Sequence, residues 1–166
     1  MTPARKAAAL AAIALALTAC GIRDTGVVSG ARPATGLTRD LRLYFVHGGG
    51  LQGVTRPGQE IQATGGVIKL LMEPSPEEQE RGLTSLVELG SWEVTGEGTR
   101  ITLRSPQLRG VTEKERLMHG QLVCTLARTQ AYVHRKERMR PDDVQVTLAG
   151  PEERLGPYRC AQFLTG

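Results

Sequence analysis

The feature that most constrains the fold is one long helix signal in a chain otherwise punctuated by glycine turns. Thr112-Glu113-Lys114-Glu115 reads as a capping box, in which the threonine side chain and the glutamate three residues later satisfy each other's backbone N–H groups. The helix it opens carries Leu117, Met118, Leu122, Val123, Cys124 and Leu126 and extends through Ala131 towards Arg135, with Pro141 as its stop. A helix of that length must bury its apolar face against something, and the flanking segments read as strands. Leu41 to Val46, the turn His47-Gly48-Gly49-Gly50 and Leu51 to Arg56 predict a hairpin. Ser91 to Thr95 and Thr99 to Leu103, around Gly96-Glu97-Gly98, predict a second, with Trp92, Val94, Ile101 and Leu103 facing inward. Val144 to Leu148 is a last strand. Residues 60–72 read as a helix weakened by Gly65-Gly66, and Ser75-Pro76-Glu77-Glu78 as a second capping box whose short helix stops at Gly82. Strands and helices mix without a Gly-rich phosphate loop. The expectation is a single α+β domain: one mostly antiparallel or mixed sheet with helices packed on one face.

The N-terminus is of a different kind. Arg5 and Lys6 precede an uncharged run from Ala7 to Leu17, which as a helix would reach about 17 Å. That is about half of a hydrocarbon core, and it suits the core of a cleaved export signal rather than a permanent span. The following Leu17-Thr18-Ala19-Cys20 resembles a bacterial lipobox in all four positions. That resemblance implies removal of residues 1–19 as a lipoprotein signal peptide and acylation of Cys20, the predicted lipid-attachment residue. The chain would then be anchored to membrane lipid on the extracytoplasmic face of the cell membrane, an anchor that needs more than one acyl chain to be stable. Simple secretory cleavage near Ala19 is the alternative. Residues 20–40, rich in Gly, Thr, Arg and Pro, read as the lipidated cysteine and a tether of about 25 Å. The formal net charge is +4, of which Arg5 and Lys6 supply two, so the remainder lacks the charge of a nucleic-acid binder.

Setting Cys20 aside leaves Cys124 and Cys160, an even pair in an oxidising compartment. Their disulfide would pin the tail, residues 150–166, to the long helix. Closing a loop of about 36 residues is worth roughly 4 kcal/mol on the chain-entropy view. Two free thiols are the alternative.

Candidate chemistry is sparse. Phe45-Val46-His47-Gly48-Gly49-Gly50 is similar to the oxyanion loop of esterases, but Ser29, Ser75, Ser85, Ser91 and Ser105 all lack the Gly-x-Ser-x-Gly context such an enzyme needs. His47, His119 and His134 have no metal-ligand spacing, so neither a metal nor another cofactor is expected. The run Arg135 to Arg140 sets four cations against Glu137. It reads as a solvated helix end, with anionic lipid or wall polymer as the other occupant. Trp92 reads as core rather than as a ligand platform.

Taken in order, Leu43-Tyr44-Phe45-Val46 with its glycine turn, Leu70-Leu71, Pro74-Ser75-Pro76-Glu77-Glu78, Gly82-Leu83-Thr84-Ser85 and Gln121-Leu122-Val123-Cys124-Thr125-Leu126 resemble the GerMN (sporulation and spore-germination) domain. The resemblance covers residues 41–149. The Cys-Gly-Ile start and Gly-Pro-Tyr-Arg-Cys ending are similar to small actinobacterial lipoproteins that carry it. Two positions depart from the pattern: Glu73 replaces a glycine, and Glu88-Leu89-Gly90 replaces a Pro-x-Gly turn. The resemblance implies a non-catalytic assembly or interaction module of the cell envelope with an envelope protein as partner, and it assigns no active-site residue. A binding module for wall glycan or a small ligand is the alternative.

Overall fold

The computed structural model describes residues 40–110 and 112–164. The expected signal segment 1–19, Cys20 and the tether up to residue 39 lie outside them. Among the described residues six strands and four α-helices follow in chain order: β1 (Leu41–His47), β2 (Gly50–Arg56), α1 (Val67–Met72), α2 (Pro76–Glu80), β3 (Glu93–Glu97), β4 (Arg100–Arg104), α3 (Glu113–Val133), β5 (Gln145–Ala149), β6 (Arg154–Tyr158) and α4 (Ala161–Leu164). The fold is α+β, but the strands form two sheets rather than one. β1 and β2 make a two-stranded antiparallel ribbon, and β3-β4-β5-β6 a four-stranded mixed sheet. β4 and β5 are parallel, with α3 in the crossover that parallel neighbours require.

Local chemistry accounts for most boundaries. Gly48 and Gly49 both have positive φ, 58° and 81°, as a two-residue turn between right-twisted strands demands. Both capping boxes form: Ser75 with Glu78 opens α2, and Thr112 with Glu115 opens α3. The helix read over 60–72 is shorter. A 3-10 turn covers Thr64–Gly66 and only Val67–Met72 is α-helical, entered from Gly66 without a side-chain cap. Gly65 is pressed against Val94, where an added Cβ would sit 3.2 Å from that side chain. At the C-terminus, residues expected as a tail contribute β6, paired antiparallel to β5 with a register irregularity between Val146 and Leu148, and then α4. Gly156 and Pro157 conceal that strand from any periodicity reading.

The long helix α3 is buried on all sides, continuously from His119 to Ala127. Leu122, Val123, Leu126 and Ala127 join Leu41, Leu43 and Phe45 of β1, Ile68 and Leu71 of α1, Ile101 and Leu103 of β4, and Val146 and Leu148 of β5 in one core. A smaller cluster of Tyr44, Cys124 and Cys160, with Leu51 and Phe163 against it, lies on the other face of the ribbon. Ile101 and Leu103 are buried as expected, and Val94 and Trp92, half-buried, pack against the same core.

A polar joint fastens α3 to the ribbon. The Tyr44 N–H donates to the Thr125 hydroxyl (3.0 Å), and the Tyr44 carbonyl accepts from Gln121 Nε2 (3.1 Å). Gln121 also donates to the Thr84 carbonyl (3.3 Å) and accepts from the Leu86 N–H (2.8 Å). Both side chains are fully buried. Further along β1, Val46 exchanges both backbone bonds with Thr84, at 2.8 and 3.0 Å. Gln121→Leu would leave the Leu86 N–H and the Tyr44 carbonyl unpaired in the interior, at about 1–3 kcal/mol each. Urea unfolding of that variant should show a loss of about 3 kcal/mol; a loss below about 1 kcal/mol would contradict the joint.

Candidate functional site

The two parallel strands end side by side, and a cleft of about 420 Å³ opens beyond their carboxyl ends. Ser91, Trp92 and Glu93 form one wall, Arg104, Ser105 and Pro106 the middle, and Ala149, Gly150 and Pro151 the other wall. Crevices at the carboxyl ends of parallel strands are where ligands of such sheets are generally held. Each wall is fixed from below. The buried Ser105 hydroxyl donates to the Ser91 carbonyl at 2.7 Å, and the Ser105 N–H continues the ladder to the Ala149 carbonyl at 3.1 Å. Gly150 must be glycine, because a Cβ there would collide with the Leu108 carbonyl oxygen.

Trp92 is placed by its indole N–H, which donates to the Gly65 carbonyl at 3.3 Å. The ring is half-buried and packs against the main core, as an inward residue should, although it lies just before the strand expected to carry it. It precedes β3, which starts at Glu93. Glu93 and Arg104 face each other across the β3–β4 register, both exposed, and neither takes part in an ion pair among the described residues. The cleft thus combines an aromatic face, two prolines, one carboxylate and one guanidinium.

A second groove, of about 530 Å³, runs beside the end of β2 between Thr55, Arg56 and Pro57 and the residues Ser75 to Glu78. Its centre is already filled by an internal pair. Glu78 accepts from Arg56 Nη2 (2.6 Å), Arg56 Nε (3.0 Å) and the Ser75 N–H (2.7 Å). Burial alone would raise its pKa, but the bonds from Arg56 and Ser75 hold it below the usual carboxylate range. That carboxylate is committed to capping α2.

The other residues singled out in the sequence are dispersed. Cys124 and Cys160 are joined by a disulfide, with Cα atoms 4.5 Å apart, and this ties the segment after β6 to α3. The glycines after His47 are the hairpin turn, and the exposed His47 lies with Nδ1 3.3 Å from the Gly82 carbonyl. His134 meets Glu137 at 3.0 Å on the surface. Arg135, the first residue of the basic run, donates to the Tyr132 carbonyl at 3.3 Å and lies over the Tyr132 ring. Among the described residues no group of three or more His, Cys, Asp and Glu side chains gathers as metal ligands, and no serine or cysteine is hydrogen-bonded to a histidine. The chain gives no match to any protein-family model, to any curated protein or to any solved structure.

His119 is another buried titratable group. It is 2% exposed on α3, and its Nε2 has no hydrogen-bond partner. Burial pushes its pKa below the ordinary 6.5, while the carboxylates of Glu115, one turn earlier, and Glu153, in the β5–β6 turn, pull the other way. The unfolded chain therefore binds a proton near pH 6.5 that the folded chain resists. This contribution to stability is complete above that pH and is lost as pH falls towards the folded-state value. Unfolding midpoints measured from pH 7.5 to 5 should fall more steeply for wild type than for His119→Gln; parallel curves would refute this.

Proposed function

We propose that this chain is a membrane-anchored extracytoplasmic lipoprotein, acylated at Cys20, whose GerMN-like α+β domain acts as a non-catalytic interaction module of the cell envelope. The observation that carries the reading is the Cys124–Cys160 disulfide, a cross-link suited to an oxidising compartment, in a chain that begins with an export-type segment ending in Leu17-Thr18-Ala19-Cys20. The order of hairpin, short helix, capped helix and long helix bearing Gln121 to Leu126 supports the GerMN likeness. Such a domain would serve assembly of the envelope, in sporulation or germination where the cell has them. Crosslinking the anchored chain in intact cells, with Cys20→Ala as control, should capture an envelope protein near one-to-one from wild type only, and Cys20→Ala should lose lipid labelling. Labelling of that variant at the wild-type level would refute the anchor, and capture of no protein would refute the interaction module.

The cleft beneath Trp92 favours a second reading, binding of a wall glycan. A sugar ring stacks its apolar face on an aromatic side chain and presents hydroxyls to flanking charged groups, and Trp92, Glu93 and Arg104 offer that set. Trp92 is the single tryptophan of the chain, so tryptophan emission, excited selectively over tyrosine, reports on this cleft. Titration with soluble wall-glycan fragments should change the emission saturably, and Arg104→Ala should weaken the apparent affinity about tenfold. Unchanged emission at millimolar fragment would retire the cleft as a glycan site.

A further inference from the structure

The register of α3 against β1 brings Arg42 and Arg128 together on the ribbon face that carries Tyr44, and we propose that their two guanidinium groups form a binding site for a phosphate dianion. The backbone bonds of Tyr44 fix that register. Its N–H meets Thr125 and its C=O meets Gln121, which also reaches the Thr84 carbonyl bonded to the Val46 N–H, so α3 runs antiparallel to β1. From Thr125 to Arg128 the helix advances about 4.5 Å, and from Tyr44 to Arg42 the strand runs about 6.6 Å in the same direction. The side chains also share a face. Cys124 packs with Tyr44 and Cys160, and Arg128 follows Cys124 by one helical turn. Arg42 is two residues from Tyr44, and its guanidinium lies over the Tyr44 ring, 5.7 Å from the centroid.

Three observations point to an anion between them. The Nε of each is closed off from water without a hydrogen-bond partner, and among the described residues no other arginine is so placed. Nor does either take part in an ion pair among those residues. Other arginines have partners: Arg56 holds Glu78, Arg116 donates to the Gln162 carbonyl at 3.2 Å and Arg135 to that of Tyr132. Arg42 and Arg128 are both half-buried, so water screens their mutual repulsion only in part. A guanidinium does not relieve such repulsion by giving up its proton, whereas a bound anion relieves it directly. The third observation is Gly53, which pairs with Tyr44 across the ribbon and makes room for the Arg42 guanidinium against its backbone. A Cβ there would collide with Arg42 Nε and come within 2.8 Å of Nη2. Two planar forks with a fixed double positive charge match a phosphate dianion, whose oxygens can be shared between them; a carboxylate would neutralise one fork only. The site uses neither Cys20 nor the Trp92 cleft, so it stands or falls apart from the readings above.

The test is thermal unfolding of the full chain in a neutral detergent at pH 8, titrated with inorganic phosphate or phenyl phosphate against chloride at matched ionic strength. Either phosphate should raise the unfolding midpoint saturably, and chloride should not. Arg42→Gln and Arg128→Gln should each raise the apparent Kd at least about tenfold. Gly53→Ala keeps both charges and displaces only the Arg42 guanidinium, so it should raise the apparent Kd about threefold or more. Exposed Arg100→Gln should leave it unchanged. If either glutamine variant fails to fold, Gly53→Ala carries the test. Equal affinities for the two probes would identify free phosphate as the ligand, and tighter phenyl phosphate a phosphorylated small molecule. The proposal is overturned if phosphate moves the midpoint no more than chloride or without saturation, if Arg100→Gln weakens binding as much as Arg42→Gln, or if Gly53→Ala binds as wild type does.

Discussion

The side-chain amide of Gln121 is the joint on which this domain turns. An isolated two-stranded ribbon is marginal in water, and β1–β2 becomes a fixed element because α3 seals its inner edge. Gln121 and Thr125 lie one helical turn apart, so their side chains reach the N–H and C=O of Tyr44 together. Gln121 also holds Thr84 and Leu86, and thereby fastens the segment between α2 and β3 to the same helix. Farther along, Gln130 accepts from Thr64 (2.6 Å) and donates to the Gly98 carbonyl (2.9 Å), which brings the approach to α1 and the β3–β4 turn onto α3. A buried helix carries polar residues at least cost where each has partners, as Gln121, Thr125 and Gln130 do and His119 Nε2 does not.

From this arrangement follows the division of the surface. Sealing the inner edge of β1 leaves the outward backbone groups of β2 without hydrogen-bond partners among the described residues. Setting α3 in the crossover makes β4 and β5 parallel and opens a cleft at their ends. Among the described residues Leu164 is the only large hydrophobic side chain that is exposed, at 46%. The described surface thus offers the mixed aromatic and charged walls of a cleft rather than an apolar patch.

Elements held by contacts within a few residues were legible in the sequence. The two capping boxes and the Gly48-Gly49 turn each close through hydrogen bonds spanning two to four positions, so residue type and spacing suffice to find them. The pairing of Cys124 with Cys160 needed only counting once Cys20 was set aside. Trp92 was legible in part: its packing on the core was expected, whereas its bond to the Gly65 carbonyl, distant in sequence, was not. Nor was the core role of Gln121, whose partners at Tyr44 and Thr84 lie 77 and 37 positions away. A polar side chain inside an apolar run at 121 and again at 125 was the one available hint.

The sequence by itself determined the α+β character, the extent of the long helix to within a few residues and the turn of the first hairpin, because these depend on short-range hydrogen bonds and on the side-chain period. Tertiary structure decided that the strands divide into two sheets, that β4 and β5 run parallel and that Gly156 and Pro157 lie within a strand. It also decided which backbone groups of β2 face outward. Those properties depend on pairing between segments far apart in the chain, and a backbone N–H gives no sign in the sequence of the partner it will find.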